Sequence, residues 1–220
     1  MEIKIDSSIK EKIPYAKLQC ILYTTSVKEK DKNLWKKFEE EIFPSLIEFF
    51  STNSFNDIKN LDYSKKAYKK LGKDPGRYRV SSEALYRRIK QGKGIYQINT
   101  VVDANNLISL ETGFSVGSYD IDNIEGDILW RVGKEGESYK GIGKENLNIE
   151  NLPLLSDKKG AFGSPTSDSE RAMITLESKN ILTVIYDFSE EDKSEELLKT
   201  AEKYLKEYAG AEIKEMFTIK

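Results

Sequence analysis

Residues 99–126, NTVVDANNLISLETGFSVGSYDIDNIEG, decide how the rest of this chain is interpreted. They predict an extended stretch and then a short helix from about Asp103 to Glu111, with Gly113 at its exit. From Ser115 to Lys159 the pattern changes to short strands that alternate with glycine-marked turns. A helix followed by strands joined through tight turns predicts an antiparallel sheet with a helix packed beside it.

Upstream of this stretch the sequence predicts one strand and then mainly helices. Residues 16–27 are rich in apolar and β-branched side chains, which is typical of a strand. Apolar positions then repeat at helical spacing on both sides of Pro44, where the helix should kink or restart. A second helix is expected over about residues 54–71, and a third begins after a cap at Ser81 or Ser82.

Downstream, the apolar run Asn180–Phe188 predicts a central strand. An amphipathic helix follows, with capping residues Ser189 and Asp192 at its start and Gly210 at its end. The prediction is one α+β domain over residues 1–220. It has a mostly antiparallel β core flanked by helices, a helical N-terminal third and a C-terminal amphipathic helix.

The composition excludes several kinds of active site. The chain has no histidine and one cysteine, so no Ser-His-Asp or Cys-His pair and no zinc site is expected. Cys20 lies in the apolar run LQCILY and is predicted to be a buried structural thiol. Acid–base chemistry would fall to carboxylates, lysine, tyrosine, backbone groups or the substrate.

Cofactor and membrane signals are missing from the sequence as well. It contains neither a Walker-type loop nor a G-x-G-x-x-G motif after a strand, so no cofactor is expected. No run approaches the roughly 18 apolar residues that cross a bilayer. We expect a cytoplasmic protein with no membrane contact.

Charge is distributed unevenly along the chain. The overall net charge is −2, but Lys65–Lys93 holds eleven basic and two acidic residues, a net of +9. The tail Asp187–Glu215 holds ten acids and five lysines, a net of −5. The basic segment is either a face for phosphate groups or a solvated helix surface.

An ordered series of motifs in the middle of the chain resembles a known family. A basic helix is followed by N-x-V-V-D from Asn99, N-L-I-S-L-x-T-G from Asn106, and Y-D-I-D-x-I-E-G from Tyr119. GAFGSPTSDSERAMITLESKNILTVIYDF then adds a glycine-rich loop and a strand. In order and spacing these motifs resemble the editing domain of the phenylalanyl-tRNA synthetase beta subunit, the B3/B4 domain, and its free-standing relatives. The resemblance covers about residues 78–188.

The resemblance implies a pocket for the aminoacyl group on the terminal adenosine of a tRNA. In the synthetase this pocket hydrolyses tyrosine that has been attached in error. Two positions depart from the family pattern: its pocket histidine falls at Gly117, and its pocket glutamate falls near Val184. The resemblance therefore implies a reshaped pocket and a different amino acid.

Candidate site residues follow from the matching motifs, each with a structural alternative. The structural alternatives are that Asp103 caps its helix, that Asp120 binds turn amides, and that each glycine is an ordinary turn residue. The candidate catalytic residues are Glu125, Asp103 and Thr175. The candidate pocket residues are Asn99, Asn106, Gly117, Tyr119, Asp120, Gly126, Gly160 and Gly163. The candidate tRNA phosphate contacts are Arg77, Arg79, Arg87, Arg88, Lys90 and Lys93.

Three functions remain open at this point. The first is a trans-acting deacylase that hydrolyses a mischarged or non-standard aminoacyl-tRNA. The second is a non-catalytic module that binds a tRNA end or an amino acid. The third is a protein-interaction domain whose pocket is vestigial. The expected partners are the aminoacylated acceptor end of tRNA and a small amino-acid moiety, without DNA.

Overall fold

The computed structural model describes residues 1–143 and 145–220. A π-helical turn, Phe38–Ile42, joins the second and third helices. In chain order the elements are β1 (Ile3–Ile5), α1 (Ser7–Lys10), β2 (Lys17–Thr24), α2 (Lys32–Lys37), α3 (Phe43–Thr52), α4 (Lys59–Leu71), α5 (Ser81–Lys90), α6 (Thr100–Thr112), β3 (Ser115–Asp120), β4 (Ile128–Val132), β5 (Ser138–Lys140), β6 (Asn146–Asn148), β7 (Pro153–Asp157), β8 (Gly160–Gly163), β9 (Asn180–Asp187), α7 (Ser194–Ala209) and β10 (Glu212–Ile219).

The strands form two four-stranded sheets and one small ribbon. The first sheet has the order β1-β4-β7-β8, with β1 parallel to β4 and the remaining pairs antiparallel. The second sheet, β10-β2-β9-β3, is antiparallel throughout. The ribbon pairs β5 with β6. Antiparallel sheets flanked by helices confirm the predicted α+β class, and β3 is an edge strand.

Apolar side chains on the two faces of the second sheet belong to two hydrophobic clusters. Along β2, Leu18 and Cys20 join one cluster, whereas Ile21 and Tyr23 join the other. Successive side chains on a strand point to opposite faces, so one buried strand contributes to both cores. Cys20 is fully buried, as predicted, and burial raises the pKa of its thiol.

Helix α6 lies between α7 and β3 and is buried along most of its length. It begins three residues earlier than predicted because the Asn99 side chain accepts hydrogen bonds from the Val101 and Val102 N–H groups. This cap satisfies free donors of the first turn. Gly113 ends the helix with a φ of 79°, a conformation that glycine adopts without strain.

The C-terminal strand β10 was not predicted from the sequence. It pairs with β2 and forms the outer edge of the second sheet. Its many charged side chains hid the strand pattern, yet charges suit an exposed edge because they oppose pairing with another chain. Across the described ranges, no helix is both long and apolar enough to cross a membrane.

Candidate functional site

A cleft of about 460 Å³ opens beside the edge strand β3. Helices α5 and α6 form two of its sides, and the loop that follows β8 closes a third. Its lining residues are Ser81, Ala84, Leu85, Arg88, Tyr96, Ile98, Val102, Asn105, Asn106, Ser109, Val116, Gly117, Ser118, Ile142, Thr166, Asp168, Met173 and Ile174.

The walls of the cleft are largely apolar, and apolar side chains also stand at its rim. Tyr96, Ile98, Ile142 and Met173 line the cleft although each is at least one-third exposed. Exposed apolar side chains gathered around a concave site are typical of a ligand-binding surface.

Asp168 is the one carboxylate among the lining residues. Its Oδ1 accepts a hydrogen bond from the Tyr119 hydroxyl at 2.8 Å and another from the Ser164 N–H at 3.1 Å. Within the described part of the chain, Oδ2 has no hydrogen-bond partner. One oxygen is thus fixed by the protein, and the other remains available to a ligand or a water molecule.

The loop that carries Asp168 is held by its own side chains and by buried tyrosines. The Ser164 hydroxyl accepts hydrogen bonds from the Thr166 and Ser167 N–H groups, which closes the turn around Pro165. The Tyr68 hydroxyl lies 2.8 Å from the Thr166 hydroxyl. Short serine and threonine side chains make such local bonds readily, so this sequence favours a closed loop.

Tyr119 reaches Asp168 because two glycines leave room for its ring. A Cβ on Gly117 would lie 2.8 Å from Tyr119 Cζ, and one on Gly163 would lie 2.5 Å from the same atom. The Tyr119 hydroxyl is also 2.6 Å from that of Tyr186. The space over Gly117 is therefore filled by Tyr119.

Burial raises the pKa of Asp168 to about 6. The hydrogen bonds from Tyr119 and from the Ser164 N–H oppose this shift, since they stabilise the charged form. Burial also raises the pKa of Tyr119, so this hydroxyl keeps its proton and donates it. A carboxyl group with a pKa of about 6 can both accept and return a proton near neutral pH.

A chain of buried polar groups leads from the cleft into the second sheet. The Asn105 amide donates to the Ser118 hydroxyl at 2.9 Å, and Ser118 lies 2.5 Å from the Thr183 hydroxyl. Tyr23 continues the chain at 3.1 Å from Thr183. The neighbouring Asn106 side chain makes no hydrogen bond to other described residues, so its amide is free to meet a ligand.

Two of the three predicted catalytic residues are engaged in structural contacts outside the cleft lining. Asp103 Oδ1 accepts from the Ile98 N–H at 3.0 Å, and Oδ2 accepts from Trp35 Nε1 at 2.8 Å. Glu125 is exposed and pairs with Lys159 at 3.4 Å. Asp103 thereby supports the start of α6, where Asn99 supplies the cap.

The third predicted catalytic residue, Thr175, lies in a turn beside the cleft. Its N–H donates to the Ser178 hydroxyl, which in turn donates to Asp120 Oδ2 at 2.6 Å. Asp120 Oδ1 accepts from the Asp122 N–H, so both oxygens of Asp120 serve the turns around it.

The eight predicted pocket residues divide into three groups. Only Asn106 and Gly117 line the cleft. Tyr119 and Gly163 act beneath it, through the contact with Asp168. The others have local roles: Asn99 caps α6, Asp120 stabilises turns, and Gly126 and Gly160 adopt positive φ values of 81° and 117°. The structure therefore does not gather all of these residues in one cleft.

The predicted phosphate contacts differ in how free they are. Arg87 forms an ion pair with the buried Glu83 at 2.7 Å, so its charge is partly neutralised. Arg88 lines the cleft and lies over the ring of Tyr96. The remaining four, Arg77, Arg79, Lys90 and Lys93, are exposed.

A sequence model of the B3/4 domain matches residues 64–209. The chain belongs to the B3/4 domain family. The match extends beyond the predicted 78–188 core at both ends: it begins within α4 and includes all of α7.

The similar proteins are much longer than this B3/4 chain. The phenylalanine–tRNA ligase beta subunit of Bifidobacterium longum (strain NCC 2705) is 28% identical over 144 residues, which cover 62% of this chain and 16% of that protein. The corresponding subunit of Fusobacterium nucleatum is 26% identical over 148 residues, covering 66% of this chain and 18% of that protein. The matches thus cover less than a fifth of these relatives.

A solved structure also resembles this B3/4 chain. It is an N-terminal fragment of the phenylalanyl-tRNA synthetase beta subunit from Pyrococcus horikoshii, with a TM-score of 0.47 and 15% identity. The match covers 96% of this chain and 50% of the fragment.

The two positions that depart from the family motifs lie on neighbouring strands of the second sheet. Gly117 and Val184 are directly opposed across the β3–β9 pair. The positions at which the resemblance predicts a histidine and a glutamate are therefore neighbours, and neither carries a polar side chain in this chain. Tyr119 covers Gly117 and donates a hydrogen bond to Asp168.

Proposed function

We propose that this B3/4 protein binds the aminoacylated end of a tRNA in the cleft and hydrolyses the ester of a mischarged or non-standard amino acid. The observation that carries the proposal is Asp168. It is a carboxylate in an apolar cleft, with one oxygen fixed by Tyr119, the other open, and a pKa of about 6. The relationship to synthetase beta subunits supports a tRNA-related function.

The proposed reaction needs no cofactor. Asp168 Oδ2 accepts a proton from a water molecule, whose oxygen forms a bond to the ester carbonyl carbon. The bond between that carbon and the ribose oxygen then breaks, and the ribose oxygen receives the proton from Asp168. The products are a free amino acid and a tRNA with its terminal hydroxyl restored. Acid–base catalysis of this kind contributes about 10²–10⁴-fold.

Two other features of the cleft suit an aminoacyl ester. The free amide of Asn106 is a donor for the oxyanion that forms when water attacks the carbonyl group. The apolar wall, which includes Leu85 and Val102, provides a place for an apolar part of the amino acid. The vicinal ribose hydroxyl of the tRNA assists as a further polar group, so one protein carboxylate is enough.

The exposed cations near the cleft supply the expected contacts to tRNA phosphates. Arg88 Nη2 donates to the carbonyl oxygen of Lys93, which places that exposed lysine beside the cleft-lining arginine. We expect the double variant Lys90→Glu/Lys93→Glu to bind tRNA at least about ten-fold more weakly, because each neutralised phosphate releases counterions. Its slope of log affinity against log salt should fall by about 2.

The matched control for this prediction is Lys199→Glu/Lys203→Glu on α7. It makes the same change in charge within the acidic tail, so it should leave the salt slope unchanged. Affinity is measured by fluorescence anisotropy of labelled tRNA at several salt concentrations. If the two double variants change tRNA affinity and its salt slope equally, the basic segment is a solvated helix surface and does not bind phosphates.

The experiment that tests the proposed reaction uses a panel of tRNAs. Each tRNA carries a cognate, a mismatched or a non-standard amino acid, and release of the amino acid is followed with and without the protein. We expect accelerated release from at least one mismatched or non-standard species. No acceleration for any member of the panel would refute the deacylase proposal.

A second candidate function is a non-catalytic module that binds the same ligand. It is favoured by the placement of Asp103, whose carboxylate oxygens are both engaged, and by the chain's lack of histidine. Saturable binding of an aminoacylated tRNA with no release of amino acid would select this function. A non-hydrolysable amide analogue measures that binding without interference from turnover.

A further inference from the structure

The exposed Tyr96 and the half-buried Arg88 form a cation–π pair in the lining of the cleft. We propose that this pair is the platform on which the unpaired terminal base of an RNA stacks. The inference rests on the proposed function, since it assigns the binding site for the base next to the ester. It adds a base-binding subsite that none of the motif residues predicted.

The pair has a defined geometry. The guanidinium carbon of Arg88 lies 3.9 Å from the centroid of the Tyr96 ring. Arg88 is held in place because its Nε donates to the Gly94 carbonyl oxygen at 3.0 Å and its Nη2 donates to that of Lys93 at 3.4 Å. A guanidinium fixed at two points offers the ring a cation–π contact.

The free side of the ring is what makes it a platform. Tyr96 remains 66% exposed although Arg88 lies over one of its faces. An aromatic ring with one face against a cation and the other open to solvent is ready to accept a second planar group. Every nucleobase has such a face, so stacking tolerates any base at this position.

The surrounding charge favours a nucleotide over an apolar protein segment. Arg88 itself, with the exposed Lys93 bound to it through the backbone, places positive charge where the phosphate of a terminal nucleotide would lie. Aromatic rings flanked by cations are the usual composition of single-strand nucleic-acid sites. Tyr96 and Arg88 line the same cleft as Asp168, so a base stacked there lies at the cleft that holds the carboxylate.

The test uses an RNA hairpin that carries no amino acid and ends in a single-stranded CC-2-aminopurine. The fluorescence of 2-aminopurine changes when it stacks, and anisotropy of a label at the 5′ end reports binding of the whole RNA. We expect the wild-type protein to give the stacking signal. Tyr96→Ala should lose this signal and bind at least about ten-fold more weakly, which corresponds to about 1.4 kcal/mol.

Three further variants separate stacking from other causes. Tyr96→Phe should keep the signal, because the ring is retained. Arg88→Lys should reduce the signal while keeping its charge and the salt slope, because a lysine cannot hold the ring in the same way. Ile47→Ala removes another exposed apolar side chain, 51% exposed and outside the cleft lining, and should behave as wild type.

The outcome does not depend on whether the protein hydrolyses aminoacyl esters. A stacking signal that requires Tyr96 supports the platform even if the tRNA panel shows no turnover, and the chain is then an RNA-end binder. Deacylation that is unaffected by Tyr96→Ala, with no stacking signal from the wild type, overturns the platform and leaves the deacylase intact. Wild-type-like affinity and stacking in Tyr96→Ala overturn it as well.

Discussion

Replacement of Asp168 by asparagine is expected to slow amino-acid release by at least about 100-fold, the lower part of the range for a lost general base. Asparagine has nearly the same shape, and its Oδ1 still accepts the hydrogen bonds of Tyr119 and the Ser164 N–H. It cannot take a proton from water at neutral pH. The rate is measured under single-turnover conditions on whichever charged tRNA the panel identifies.

The same substitution should not destabilise the protein. The folded-state pKa of Asp168 is raised to about 6, so the fold favours the protonated carboxyl group. The stability linked to this shift is fully present below the ordinary pKa of 3.8, and it is lost as the pH rises through about 6. Asparagine avoids that loss. At about pH 8 we therefore expect a free energy of unfolding no lower than that of the wild type.

Glu125→Gln is the matched control. It also tests the sequence-based prediction that Glu125 is catalytic. Glu125 is exposed and outside the cleft lining, so the Glu125→Gln variant should hydrolyse the substrate at the wild-type rate. If Glu125→Gln slows amino-acid release as much as Asp168→Asn does, Asp168 is not specifically the catalytic carboxylate. A normal rate in both variants would place catalysis outside either carboxylate.

Gly163→Ala is expected to destabilise the fold by about 3 kcal/mol, the upper end of the usual range for overpacking a buried site. The new methyl group would lie 2.5 Å from Tyr119 Cζ, and Tyr119 is fully buried. Its hydroxyl is held by Asp168 and Tyr186, so the ring cannot move without breaking both bonds. Denaturant unfolding measures the effect.

A control and a second-site variant make this prediction specific to the contact with Tyr119. Gly76→Ala adds a methyl group in an exposed turn, against the flexible side chain of Asp74, and should cost less than about 1 kcal/mol. Tyr119→Leu removes the ring, so Gly163→Ala should cost much less in that background. Equal costs of Gly163→Ala in the two backgrounds would show that the glycine is needed for another reason.

The fold was predictable wherever the pattern depended on local chemistry. The strand predicted at residues 180–188 is β9, and the amphipathic helix that ends at Gly210 is α7, because alternation and helical periodicity act within a few residues. The start of α6 was placed too late, since the β-branched Val101 and Val102 favour extended structure. The side chain of Asn99 reverses that preference by capping their N–H groups.

The candidate site was harder to predict because its key contacts join distant parts of the chain. Asp168 lies in the glycine-rich loop of the GAFGSPTSDSERA motif, and nothing local in the sequence distinguishes it from Asp120 or Asp122. The hydrogen bond that fixes its carboxylate comes from Tyr119, which lies 49 residues earlier in the chain. The available signal was a glycine within each of two strand segments, Gly117 and Gly163, since a strand glycine can mark the close approach of another group.

The pH dependence of single-turnover hydrolysis tests the central claim most directly, with the uncatalysed rate subtracted at each pH. Asp168 must be ionised to accept a proton, so the wild-type rate should fall as the pH decreases through about 6. The residual rate of Asp168→Asn should lack this inflection. Wild type and Asp168→Asn with the same pH profile, and no inflection between about pH 5 and about pH 7, would contradict Asp168 as the catalytic base.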